Sequence, residues 1–344
     1  LGNDADNTFE GGSGNDTIDG AGGNDWVWYG GSAAGVNVDL EASTATDGLG
    51  GTDTLTNLEN IAGTRFADTL VGSSAANTLV GEGGDDAIDG GAGNDWINGG
   101  AGNDTILGSA GSDFMQGGQG NDSINGGAVV DRASYTDGNT LSYEDNTNGI
   151  VMDLSGITGD GSGGAGTVTD GWGGTDTVIN VPFIRGSAYA DSILGSSAEI
   201  FEMFEGGAGN DTINGGVMNF SPDGTVSNGN RVSYQNAGSA VSVDLQAGTA
   251  TGGAGNDVLS NLNQVRGSSY ADILLGAETT DYVELFEGRG GNDTIDGRGG
   301  FDIARYDFAP TTTGINVNLA TNTAGDGQGG TDKLYNVEGV YGTG

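Results

Sequence analysis

The sequence predicts an all-β fold, a right-handed parallel β-roll or β-solenoid whose coils widen where longer strand units enter. Three observations point there. Glycine fills 72 of 344 positions and proline only 3, with neither a collagen period nor a proline-rich linker. A nine-residue period runs through the chain with aspartate in phase. No stretch sustains a 3.6-residue apolar period, so helix should be nearly absent.

The period is clearest over residues 63–125, which divide into seven consecutive nine-residue blocks starting at Gly63, Gly72, Gly81, Gly90, Gly99, Gly108 and Gly117. Their sixth positions are Asp68, Asn77, Asp86, Asp95, Asp104, Asp113 and Asp122, and their eighth are Leu70, Leu79, Ile88, Ile97, Ile106, Met115 and Ile124. The blocks at Gly11, Gly90, Gly99 and Gly117 read G-G-x-G-x-D-x-(aliphatic)-x without exception, the first with Asp16 in its sixth place. The same frame places Asp25, Asp53, Asp176, Asp191, Asp211, Asp257, Asp272, Asp281, Asp293, Asp302 and Asp332 sixth in dispersed blocks.

A longer unit recurs four times, each copy opening on an alternating strand: Val36 to Leu40, Ile150 to Leu154, Val241 to Leu245 and Ile315 to Leu319. Glycine-aspartate blocks around Asp53, Asp176, Asp257 and Asp332 follow, then a six-residue spacer. The expected organisation is one continuous solenoid: repeat block 1–28, strand unit 29–62, tandem array 63–127, strand unit with insertion 128–185, short repeat block 186–229, strand unit 230–266, repeat block 267–305 and truncated strand unit 306–344. The chain opens and stops in mid-pattern, so both ends are read as cuts through a longer repetitive protein, with any secretion signal or catalytic domain outside the segment.

Each position has a physical task. Glycines at positions one, two and four permit φ > 0 and close backbone approach, so six residues make a tight turn. Positions seven to nine make a short strand with one inward apolar residue. One strand per block cannot bury its own face, but stacked coils of two blocks, 18 residues, can. Acidic groups in successive coils would repel by roughly 3 kcal/mol per pair at an effective dielectric near 20. A hard divalent cation with oxygen ligands reverses that sign.

Composition excludes much else. With 48 acidic residues against 9 basic ones, the formal charge of −39 excludes a nucleic-acid binder held by phosphate contacts. Cysteine and histidine are absent, which removes disulfides, thiol nucleophiles, Ser/His/Asp triads and zinc sites built on those residues. No apolar run is long enough for a transmembrane helix.

The nonapeptide pattern resembles the calcium-binding repeats of secreted bacterial RTX (repeats-in-toxin, haemolysin-type) proteins, and the strand units look like segments interleaved with such arrays. The resemblance implies a calcium-bound right-handed β-roll, with several Ca2+ ions held between coils by backbone carbonyls and by the sixth-position Asp of blocks n and n+2. Carried onto this chain, the implied pairs are Asp68 with Asp86, Asp86 with Asp104, Asp104 with Asp122, Asp95 with Asp113, Asp191 with Asp211, Asp272 with Asp293, and Asp281 with Asp302. The implied ligand set also takes in Asp16, Asp25, Asp53, Asp176, Asp257 and Asp332, with the glycines Gly81, Gly83, Gly90, Gly99, Gly108 and Gly117. Asn7, Asn77 and Ile200 occupy the sixth place in degenerate blocks, where sites should be weaker or absent.

Blander readings stand beside these. Asp and Gly favour tight turns without any ion, most plausibly at the isolated Asp53 and Asp332. Asp39, Asp153 and Asp244 read as solvated outer faces rather than ligands. Glu202 with Glu205 and Glu284 with Glu287 have the look of acid–base pairs, but their recurrence as repeat elements argues for structure. Trp96 and Phe114 should stack on the outside of adjacent coils, and Trp26 and Trp28 flank an inward Val27. Such aromatics can grip a glycan or a partner protein, although the preferred reading has an insertion, residues 128–148, folding over them.

Three functions fit. The favoured one is a non-enzymatic structural segment of a secreted or cell-surface bacterial protein, such as an adhesin stalk, filament or surface-layer scaffold. The others are the carrier module of a secreted protease, lipase or alginate epimerase, and the repeat region of a pore-forming toxin. All share a linkage: a ligand that binds only the folded state stabilises it by RT ln(1 + [L]/Kd) per site. The chain should then stay unfolded in a calcium-poor cytosol, a state the resemblance connects with type I secretion, and fold outside. Neutralisation of the charge would also permit side-by-side self-association.

Overall fold

The computed structural model describes residues 1–127, 138–159, 161–218, 229–307 and 314–342. They contain strands and turns and no helix, hence no helix able to cross a membrane. The chain forms two compact units, residues 1–143 with 165–183, and residues 144–164 with 184–344.

In the first unit the nine-residue period becomes geometry. Strands Thr69–Val71, Ala87–Asp89, Thr105–Leu107 and Ser123–Asn125 pair in parallel, with Leu70 opposite Ile88, Ile88 opposite Ile106, and Ile106 opposite Ile124. On the facing sheet Leu79, Ile97 and Met115 stack likewise. Each step is 18 residues, so one coil is two blocks. All of these side chains are buried. Apolar burial contributes about 25 cal/mol per Å2, but one aliphatic residue per three-residue strand is a thin core for so acidic a chain.

The longer units add antiparallel strands. Asn37–Asp39 pairs antiparallel with Thr44–Thr46, which pairs antiparallel with Thr52–Thr56. The outer members rejoin the roll in parallel, to Thr69–Val71 on one side and Thr17–Asp19 on the other. In the second unit Val241–Asp244, Thr249–Gly252 and Gly255–Ser260 repeat the arrangement, as do Asn316–Asn318, Thr323–Gly325 and Thr331–Tyr335. Its core columns are Ile193, Ile213 and Leu259; Val243, Leu274, Ile295 and Leu334; and Phe204, Val232, Val265 and Phe286.

The glycine positions divide the work differently from the sequence expectation. In the tandem blocks positive φ falls on positions two and four, as at Gly100 (104°) and Gly102 (146°), and position two tolerates Glu82 or Ser109 there, as it does Arg298 in a later block. Gly48, Gly252 and Gly327, first in isolated blocks, are left-handed, but position one of the tandem blocks is not. Its glycine is needed because a Cβ on Gly81 would overlap both Asp86 Oδ2 and the Gly99 carbonyl of the next coil, and one on Gly99 would overlap Asp104 Oδ2.

Trp96 lies opposite Phe114 on the outer face. The covering segment expected over them includes residues 128–137, which lie outside the described residues.

Candidate metal centre

The turn that precedes each strand points its sixth-position carboxylate along the roll. There Oδ1 accepts the backbone N–H of the sixth residue one coil earlier: Asp68 N–H donates to Asp86 (2.8 Å), Asp86 to Asp104 (2.9 Å), Asp104 to Asp122 (2.9 Å) and Asp122 to Asp176 (3.0 Å). Shorter ladders join Asp16 to Asp53, Asp191 to Asp211 and Asp257, and Asp272 to Asp293 and Asp332. A second, more mixed set runs from Asn7 through Asp25 to Glu59, and from Asn77 through Asp95 and Asp113 to Asn139.

The ladders are graded along their length. At the head, Asp68 takes the Thr64 N–H and hydroxyl, while Asp191 and Asp272 take the same groups of Ser187 and Ser268. At the tail, Oδ2 of Asp53, Asp176, Asp257 and Asp332 accepts the hydroxyl of Tyr29, Tyr143, Tyr234 and Tyr306. Oδ2 of Asp16, Asp86, Asp104, Asp122, Asp211 and Asp293 is buried and accepts no hydrogen bond from the described residues; Asp25 and Asp95 share that condition in the second set, as does Asp302, whose N–H donates to Glu338.

An ionised carboxylate oxygen buried without a donor costs several kcal/mol, so it must be protonated or face a cation. Burial, with repulsion from neighbouring carboxylates, pushes Asp86 and Asp293 up to about 8 and Asp95, Asp104 and Asp211 to about 7. Burial also lifts Asp122 to about 6. Position-one carbonyls lie beside the unpartnered Oδ2 of Asp86, Asp95 and Asp104, since each pair crowds one empty Cβ place: Asp86 Oδ2 and Gly99 O at Gly81, Asp95 Oδ2 and Gly108 O at Gly90, Asp104 Oδ2 and Gly117 O at Gly99. Carboxylate plus carbonyl is the donor set a hard divalent cation prefers, and the residues present fit Ca2+. Among the described residues no three acidic side chains converge as a metal cluster, so such sites need backbone oxygens.

Six of the seven expected pairs are brought together by these hydrogen bonds. Asp281 with Asp302 is not, and that expectation is corrected. Asp281 is exposed, its N–H turned to Thr279 Oγ1 (3.2 Å), and Glu284 stands opposite Asp302 instead. The segment after Gly276 is a strand, Glu278–Glu287, with a register shift between Glu278 and Val283 that displaces Asp281, and a glutamate with a longer arm fills the place: Glu284 takes the Ala277 N–H (2.8 Å) and would overlap a Cβ on Gly276. Glu202 does the same with the Ser196 N–H (3.1 Å) in the block that shows Ile200 sixth. Gly83 has only a distant neighbour, Ala101 O at 3.5 Å from its Cβ place, unlike the position-one glycines. Asp244 is no solvated face either, being paired with Arg298 at 2.6 Å.

Sequence reasoning missed the tyrosines. Their signal was present: Tyr29, Tyr143 and Tyr234 each stand seven residues before the alternating strand, and Tyr306 nine before it. Asn77 behaves as its side chain dictates, its amide spent on the Ser73 N–H and the Glu59 carbonyl.

Glycine-rich turns, parallel three-residue strands and interior carboxylate ladders together define a β-roll of the calcium-binding kind. The family described as the RTX calcium-binding nonapeptide repeat matches residues 1–33, 62–97, 98–132, 202–217, 248–260 and 266–304, half of the sequence, and the chain belongs to it. Its repeats bind calcium, several ions to an array. No curated protein matches the chain.

Proposed function

We propose that this chain is a non-enzymatic scaffold segment of a secreted or cell-surface bacterial protein, folded and stiffened by extracellular calcium. The observation that carries the reading is the run of buried, unpartnered Oδ2 atoms at Asp86, Asp104 and Asp122. These, with Asp68, Asp95, Asp113, Asp191, Asp211, Asp272 and Asp293, are the residues that would hold the ions, together with position-one carbonyls such as those of Gly81, Gly90, Gly99, Gly108 and Gly117. Bound calcium supplies positive charge and accepts the lone pairs the protein leaves unused. The chain's own part is to hold Oδ1 on the neighbouring N–H, which fixes Oδ2 in the turn, and to keep side chains out with glycine.

A scaffold role, rather than a catalytic one, is supported by the best acid–base candidates. Glu202 and Glu284 are buried and engaged by the N–H groups of Ser196 and Ala277. Arg185 lies 3.6 Å from Glu205, and Arg266 lies 2.8 Å from Glu287. The four tyrosine-capped strand units, spaced through both units of the chain, favour an extended architectural array over a short carrier roll.

The test is a calcium titration of the full chain followed by far-ultraviolet circular dichroism. Metal-stripped protein at pH 7.5 should lack the β signal and regain it on adding calcium. An unchanged β spectrum after stripping would overturn the reading.

A further inference from the structure

Three loops share the pattern D-G-x-G-G-T-D, namely Asp47 to Asp53, Asp170 to Asp176 and Asp326 to Asp332. The last Asp of each is a tyrosine-capped ladder tail. The first Asp belongs to no ladder, yet it is 1%, 4% and 0% exposed respectively. Its Oδ1 shapes the loop: Asp47 takes the N–H of Leu49 and Gly51, Asp170 those of Trp172, Gly173 and Gly174, and Asp326 those of Gln328 and Gly330. In all three loops its Oδ2 is buried and accepts no hydrogen bond from the described residues.

These oxygens are aimed at a common feature. The Cβ place of Gly51, Gly174 and Gly330 lies 2.6, 3.0 and 2.6 Å from the loop Asp Oδ2, and the same place is overlapped by the carbonyl of Gly14, Gly120 and Gly291. Those carbonyls are position four of the preceding ladder block, whose Asp16, Asp122 and Asp293 also carry an unpartnered Oδ2. Asp170 and Asp326 are close enough for their charge to act on Asp122 and Asp293. At the same rung the tail Asp has already given its Oδ2 to tyrosine.

We propose that Asp47, Asp170 and Asp326 are ligands of a second kind of divalent-cation site, one at each of three ladder ends, completed by the Gly14, Gly120 or Gly291 carbonyl and by Asp16, Asp122 or Asp293. The loop carboxylate replaces the tail carboxylate that tyrosine has taken. The remaining ladder, ending at Asp257, has Thr251 at the corresponding position and so lacks the site. The proposal rests on the calcium reading of the ladders and goes beyond it by naming non-ladder ligands.

The test uses the full chain and calcium alone, by equilibrium dialysis, with Asp170→Asn and Asp326→Asn singly and together. Asparagine keeps Oδ1 for the loop N–H groups and removes the charge. Each substitution should remove one bound ion, or weaken one at least tenfold, and the pair should remove two, while Thr251→Asn changes nothing. Terbium gives a local readout, because Trp172 sits inside the Asp170 loop. Emission excited through tryptophan should fall in Asp170→Asn and not in Asp326→Asn. Unchanged stoichiometry and emission overturn the proposal. So does loss of the β spectrum at saturating calcium in both variants, since the aspartates would then be loop formers. A wild-type chain that takes up no calcium sinks the ladder reading itself; wild-type uptake matched by the variants sinks only the loop sites.

Discussion

The Tyr143 hydroxyl donates a 2.9 Å hydrogen bond to Asp176 Oδ2, across 33 residues of sequence and wholly inside the protein. The same pairing closes three other ladders, at Tyr29, Tyr234 and Tyr306. It lets a run of acidic rungs stop without leaving an unsatisfied oxygen at its end.

Tyr143→Phe should therefore destabilise the first unit by about 1–3 kcal/mol, because the ring still fills its place while Asp176 Oδ2 loses its only donor. Urea unfolding at saturating calcium measures the loss. A midpoint equal to wild type would mean the hydroxyl contributes nothing.

Gly81→Ala should be costly and Gly83→Ala nearly silent, though the two are neighbours in one turn. The first puts a methyl onto Asp86 Oδ2 and the Gly99 carbonyl, and the second meets nothing nearer than 3.5 Å. Overpacking of this kind costs about 1–3 kcal/mol. Melting temperatures of the two variants in calcium give the comparison, and equal values would refute the assignment of position one.

Acidity should act in opposite directions with and without calcium. Asp104 and Asp211 are raised by burial to about 7 and Asp86 and Asp293 to about 8, from an ordinary 3.8. A raised carboxyl binds its proton more tightly in the folded state. Its stabilising contribution is complete below pH 3.8 and is lost as pH rises through 7 to 8. Metal-stripped protein should thus regain β signal on acidification from pH 8.5 to pH 5, whereas calcium-loaded protein should resist urea better at pH 8.5, since protons compete with the ion. Circular dichroism of the stripped chain and urea midpoints of the loaded one test both halves.

Asp104→Asn separates the two tasks of one side chain. The amide oxygen still accepts the Asp86 N–H, but the charge that repels Asp86 and Asp122 is gone. Calcium affinity should fall at two adjacent rungs while the metal-stripped chain regains its β signal at a higher pH than wild type. Isothermal titration and circular dichroism on acidification read the two effects, and an unchanged folding pH would show that the charge is not a liability without the ion.

Glu284→Ala should lower the melting temperature and Asp281→Ala should not, because the buried glutamate alone engages the Ala277 N–H. Thermal melts of both variants decide it.

The coil was legible because its cause is local and repeated: Ile88 and Asp86 sit two residues apart, and the next copy comes 18 residues on, as Ile106 and Asp104. Hydrogen-bonded pairs such as Asp95 and Asp113 follow from that spacing. What escaped depends on loop length or on distant partners. Counting five residues from Gly276 lands on Asp281, but the strand there shifts register and a longer side chain, Glu284, does the work. The tyrosine caps join residues 23 to 33 positions apart, and the antiparallel strands are close hairpins that no nine-residue frame describes. The glycine of position one was noticed, but its reason, room for a carboxylate oxygen, needed three dimensions.

Every rung has a polarity: the amide belongs to the earlier coil and the carboxylate to the later one, from Asp68 and Asp86 through Asp293 and Asp332. Chain emerging N-terminus first leaves such an amide unpaired until its acceptor arrives, 18 residues on for Asp68 and 54 on for Asp122. Emerging in the opposite order, every arriving amide meets an acceptor already in place. The next amide runs the other way, with Ala87 N–H donating to the Asp68 carbonyl, so each junction is stitched in both directions and either order of emergence leaves one donor waiting.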